Sequence, residues 1–164
     1  MRVKRSIIGT ICALACLLVA VFATGAAQAS TPAAQGAGGR IVTVPSAPQG
    51  AQPASAPAAT SPSISPAVRT QHVPAGGSFS CGDGNFCTAV WDPTTSDWKI
   101  FFLYTCRKYA LSYWSGQGAY YNQQTGNVTS YLYDRNSNVL VTSRPDGGIL
   151  HNQDWSPVWY IRNC

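Results

Sequence analysis

Gly84-Asn85-Phe86-Cys87-Thr88-Ala89-Val90-Trp91-Asp92 returns 42 residues later as Gly126-Asn127-Val128-Thr129-Ser130-Tyr131-Leu132-Tyr133-Asp134. Gly, Asn and Asp are identical at the same offsets, and Thr88 faces Ser130, Val90 faces Leu132 and Trp91 faces Tyr133. A second echo has nearly the same period: Trp114-Ser115 recurs as Trp155-Ser156 and Asn122 as Asn163, each 41 residues on. Two matches at one spacing indicate an internal duplication. A period near 40 residues holds about four strands of about 5 residues with turns of 2 to 5. Two such units, about 81–125 and 126–164, are expected to close into one compact all-β domain.

Around this repeat the 164 residues divide by composition into an apolar start, a Pro/Ala/Ser-rich middle and a globular remainder. The formal charge of +5 misleads, because Arg2, Lys4, Arg5, Arg40 and Arg69 all precede the repeat region. From Phe79 onward six Lys and Arg balance six Asp. Binding to nucleic acid requires clustered positive charge to displace counterions from phosphates, so that class of partner is excluded.

The first 29 residues read as a secretory signal peptide: basic Met1-Arg2-Val3-Lys4-Arg5, an apolar run to Phe22, and Ala27-Gln28-Ala29 as the cleavage site. An exported protein, without membrane attachment once cut, is expected. Residues 30–78 carry many Pro, Ala and Ser and almost no aromatics, so they are expected to be a disordered linker or pro-segment. Ile41-Val42-Thr43-Val44 is its one β-like run, and with no partner it too is expected to be disordered. Strands are expected over Phe86–Asp92, Trp98–Tyr104, within Cys106–Trp114, at Ala119–Tyr121, and over Val128–Asp134, Asn138–Ser143, near Ile149-Leu150, and over Val158–Arg162. No stretch shows helical periodicity over three turns.

Cleavage of the signal peptide would leave Cys81, Cys87, Cys106 and Cys164, an even set in an exported chain. Three pairings are possible. The short, Gly-containing spacing of Cys81 and Cys87 favours a local bridge, which leaves Cys106 with Cys164. That longer loop would contribute about 4 kcal/mol in the chain-entropy picture. A zinc site would require close C-x-x-C pairs, and none is present.

Gly84-Asn85-Phe86-Cys87, Trp98-Lys99-Ile100, Cys106, Leu111-Ser112-x-Trp114, Tyr120-Tyr121-Asn122 and Cys164 together resemble small exported actinobacterial proteins classed with the Streptomyces metalloproteinase inhibitor. The resemblance covers roughly Phe79–Cys164 and implies a βγ-crystallin-like sandwich of two Greek keys. It supports the Cys81–Cys87 pairing, and it implies inhibition of an extracellular protease through a loop of the second unit. The contact residues expected on that basis are Arg135, Asn136, Ser137 and Asn138, with Arg144, Asp146 and Gly147 second. In the type inhibitor a local disulfide holds that loop. Here the second unit has no cysteine before Cys164. Related crystallin-like domains bind calcium through an (N/D)(N/D)-x-x-(S/T)-S stretch. The matching Trp114–Ala119 lacks those ligands, and Pro157 interrupts Asn152, Asp154 and Ser156, so no metal and no cofactor is expected. Asp92 and Asp134 are expected to shape equivalent turns.

Catalysis is not expected. The chain has no Glu, His72 falls in the linker, and His151, with Asp154 three residues on, has no nucleophile motif beside it. Asn127-Val128-Thr129 matches a glycosylation acceptor at the start of a strand. Trp114 and Trp155, as repeat equivalents, are expected in the core. Tyr120 and Tyr121 are adjacent, so one should point outward from its strand. An aromatic face rimmed by Asn and Gln would suit an alternative role, a monomeric extracellular module binding a surface glycan or protein.

Overall fold

The computed structural model describes residues 38–51 and 59–164; the expected signal peptide, 1–29, and the remaining stretches of the expected linker lie outside the described residues. Twelve strands and no helix occur there: β1 (Gly39–Thr43), β2 (Ser63–Ser65), β3 (Arg69–Val73), β4 (Ser78–Gly82), β5 (Asn85–Asp92), β6 (Asp97–Leu103), β7 (Lys108–Ser112), β8 (Gln117–Gln123), β9 (Ser130–Tyr133), β10 (Val139–Ser143), β11 (Leu150–Asp154) and β12 (Tyr160–Arg162). The domain is all-β, and all eight strands expected within the repeat are present. Among the described residues no helix is long and apolar enough to cross a membrane.

Two five-stranded antiparallel sheets form the body, sheet I in the order β11-β8-β5-β6-β3 and sheet II in the order β10-β9-β12-β7-β2. Each repeat unit keeps three strands in one sheet and sends its third to the other. β7 of the first unit pairs with β12 in sheet II, and β11 of the second pairs with β8 in sheet I. The echo in sequence is also an echo in backbone. Gly84 and Gly126 both take a positive φ, 81° and 78°, and Ser96 and Ser137 do so at 58° and 64° in the hairpin turns that follow β5 and β9. The two closing asparagines act across units: the Asn122 side chain donates to Ser143 Oγ, and that of Asn163 to the Leu103 carbonyl.

Side chains alternate between two cores, as strand geometry requires. Phe86 and Val90 of β5, Phe101 and Leu103 of β6 and Tyr120 of β8 face sheet II, where they meet Leu132, Trp155 and Ile161. Cys87, Ala89, Trp98, Ile100, Phe102 and Tyr121 face the other way, into a second core. That core is closed by the expected linker. β1 pairs with β4 over Gly39–Thr43 as a two-stranded third layer, and Val42, Val44, Val73 and Phe79 are buried against the outer face of sheet I.

The disordered reading of residues 30–78 is therefore corrected for the part described, and the domain begins before Phe79. Ile41-Val42-Thr43-Val44 does form a strand, although Ile41 itself stays exposed. β2 and β3 extend the two large sheets at one side, by pairing with β7 and β6. Composition misled for two reasons. Backbone pairing needs no apolar side chain, and the few valines of the segment gain their burial from aromatics far along the chain. Those aromatics in turn find polar partners in the segment: Trp98 Nε1 donates to the Pro45 carbonyl and Tyr121 Oη to the Thr43 carbonyl, each at 2.9 Å.

The two bridges are Cys81–Cys87 and Cys106–Cys164, with Cα separations of 6.1 and 5.3 Å. The first sits in the second core; the second joins the β6–β7 loop to the residue that follows Asn163.

Candidate functional site

The loop expected to contact a protease, Arg135–Asn138, connects β9 to β10 and is exposed throughout. Asp134 organises it. One carboxylate oxygen accepts the backbone N–H of Asn136 and of Asn138, each at 2.8 Å, and the other accepts the Asn138 side-chain amide at 2.8 Å. The hairpin closes with Asp134 N–H on the Asn138 carbonyl and Ser137 N–H on the Asp134 carbonyl. Lys108 of β7 reaches across and donates to Ser137 Oγ at 3.0 Å. The Asn138 side chain, helped by the backbone donors and Arg135, holds the Asp134 carboxyl below its ordinary pKa, so the clamp is ionised at neutral pH. A carboxylate with several local donors thus stands where the type inhibitor is said to have a disulfide.

The second expected set, Arg144, Asp146 and Gly147, lies at the other end of β10. Five residues of strand, roughly 15 Å, separate it from the first loop. The structure does not bring the two sets together. The second loop is held from outside: the Asn122 carbonyl accepts Asp146 N–H and Gly148 N–H, and Arg40 donates to the Gly147 carbonyl at 3.0 Å. Asp146 Oδ1 accepts Gly148 N–H and Ile149 N–H, while its other oxygen contacts His151 Nε2. Arg40 lies in the expected linker, so its part in this loop was invisible without the fold.

Each histidine has a carboxylate partner, but His151 pairs with Asp146 rather than with Asp154, and its ring stacks on Tyr120 at 4.7 Å. Asp154 accepts Ser156 N–H instead, and Ser156 Oγ accepts Gly116 N–H. His72 is corrected from linker to fold: β3 carries it to buried Asp92, 3.1 Å away, where Ser61 and Thr94 also donate. There the carboxylate, not the imidazole, stands between the hydroxyl and the other partner, which is not the order of a nucleophilic triad. Burial pushes the Asp92 carboxyl up, but the bonds from Ser61, Thr94 and His72 outweigh it and bring the pKa down to about 2. Among the described residues no three His, Cys, Asp or Glu side chains gather as a metal would need. Asn152 is exposed on β11, and Asn127 is exposed in the turn before β9.

Both Tyr120 and Tyr121 are buried, so the outward aromatic face expected at that pair does not exist. The two rings do point to opposite faces of β8, but sheet I is a middle layer and both its faces are covered. The exposed aromatics are Tyr104, Tyr113 and Trp159. Sequence reasoning passed over Tyr113, whose signal is its place just after a strand and before Gly116.

No known protein family, curated protein or solved structure matches the chain.

Proposed function

We propose that this is an extracellular βγ-crystallin-type domain of two interlocked Greek keys, and that it inhibits a secreted metalloprotease by laying the Arg135–Asn138 loop across the enzyme's cleft. The observation that carries this reading is the Asp134 clamp. An ordered loop loses little conformational freedom on docking, so more of its contact energy appears as affinity. A loop whose amides are held by a carboxylate is also poorly able to relax into the extended form that productive cleavage requires. The exchange of third strands between sheets supports the Greek-key reading, and the Cys81–Cys87 bridge supports the resemblance on which the activity rests.

The test is titration of a thermolysin-like metalloprotease, and of a subtilisin-like enzyme, with the oxidised chain. Stoichiometric inhibition of the metalloprotease is expected, and replacement of residues 135–138 by Gly and Ser should abolish it. Inhibition that survives this replacement moves the contact to Arg144–Gly147. A folded chain that inhibits neither enzyme sinks the proposal.

A further inference from the structure

We infer that the chain binds a neutral saccharide in a groove that runs from the N-terminal segment past Tyr113 to Trp159. Two clefts of about 660 and 330 Å³ lie on either side of Tyr113, and Tyr113 and Trp114 belong to both. Each falls in the size range of ligand sites, about 300–1,000 Å³. Trp91 walls the first cleft, Trp159 the second, and Trp114 is buried between them. Tyr113 is 67% exposed and holds φ at 63°, a conformation a bulky residue seldom adopts. Gly or Asn would suit that backbone better, so the phenol ring is present against the local preference. Trp159, 48% exposed, is fixed beside it because its carbonyl accepts Leu111 N–H.

The groove's chemistry selects the ligand class. Among the described residues no charged side chain lines either cleft. That disfavours phosphates, nucleic acids and acidic polymers, which need cations to replace their counterions. The polar side chains are amides and hydroxyls, Gln49, Thr60, Ser115 and Gln117 in the first cleft and Ser112 and Ser156 in the second. Aromatic faces that cover C–H surfaces, rimmed by groups that can both donate and accept, match a sugar ring, which has apolar faces and a hydroxylated edge. A proline-rich peptide is the competing occupant of an aromatic groove. It is anchored by donors at the groove wall, but Trp114 Nε1 already donates to the Ser63 carbonyl and Trp91 Nε1 is buried. The observations favour the sugar. This inference does not rest on the inhibitor reading, because the groove contains no residue of the Arg135–Asn138 loop.

The experiment uses the oxidised full chain, with retention on cellulose and on granular starch, and quenching of tryptophan emission by cellohexaose and by maltohexaose. Retention on at least one polymer and quenching by its hexaose are expected. Tyr113→Asn, which keeps a residue tolerant of positive φ, and Trp159→Ser should each weaken binding about tenfold. Replacement of residues 135–138 should leave it unchanged. No retention and no quenching with either sugar, while near-ultraviolet circular dichroism is native, overturns the proposal. So does binding that is unaffected in the double variant, or a proline decamer that displaces the sugar or binds in its place.

Discussion

Asp92 and Asp134 occupy the same position in the two repeat units and build the same turn, yet they lead different lives. Each accepts backbone or side-chain donors from the residues just after it, and each turn ends on a serine with positive φ. Asp92 is sealed by the N-terminal segment, which supplies Ser61 and His72, while Lys99 lies 3.9 Å away. Asp134 has no such cover and holds an exposed loop. The tryptophans diverge in the same way: Trp155 Nε1 donates to Ala89 of β5, whereas Trp114 Nε1 donates to Ser63 of the added segment. The repeat determines local geometry. What packs on each copy decides whether that geometry serves stability or presentation.

Removal of the added segment is the severest test of this contrast. A chain that starts at Ser78 loses β1–β3 and uncovers Trp98, Phe102 and Tyr121. The buried Val42, Val44 and Val73 alone represent at least about 5 kcal/mol, within the range of a whole domain's stability. Urea titration should find no cooperative transition, and a native-like one would show that the third layer is dispensable. Trp155→Ala comes next, at about 4 kcal/mol for a large core side chain, with Trp114→Ala about 1 kcal/mol milder because its ring lies nearer the surface. Equal shifts in the denaturation midpoint would erase that distinction.

Asp92→Asn should cost about 3 kcal/mol, because it breaks a buried ionic cluster. The linkage has a definite sign. The folded carboxyl is depressed to about 2 from an ordinary 3.8, so its contribution is full above about pH 4 and disappears as the pH falls toward 2. The native protein should therefore lose stability over that window, and the Asn variant should not show that part of the loss. Asp134→Asn should barely move the unfolding midpoint but should weaken inhibition about tenfold or more, because the loop must then be ordered on binding. A large stability loss with unchanged inhibition would reverse the roles assigned to the two aspartates.

Much of this could be read directly from the residues. Alternation and turn residues located eight strands to within a few positions, and the pairing of four cysteines followed from spacing and the resemblance. The Asp134 turn was legible because Asp-x-Asn-x-Asn places side-chain acceptors and donors within one hairpin. Ile41–Val44, His72 and Arg40 were misread for a common reason. Each takes its partner from far along the chain: Val42 opposite Phe79, His72 on Asp92, Arg40 on Gly147. Local composition contains no record of such partners. Tyr120 and Tyr121 failed differently, since the alternation was right and only the number of layers was wrong.

By itself the sequence determined the all-β class, the duplicated unit, the two bridges and the turn at Asp134, because each depends on residues close together or on thiols that must pair. The tertiary structure alone decided that a Pro-rich segment becomes a third layer, that Asp92 is buried and Asp134 is not, and that Tyr113 and Trp159 share a groove. Those outcomes depend on which surfaces meet, and a strand's backbone pairs with an edge whatever its composition.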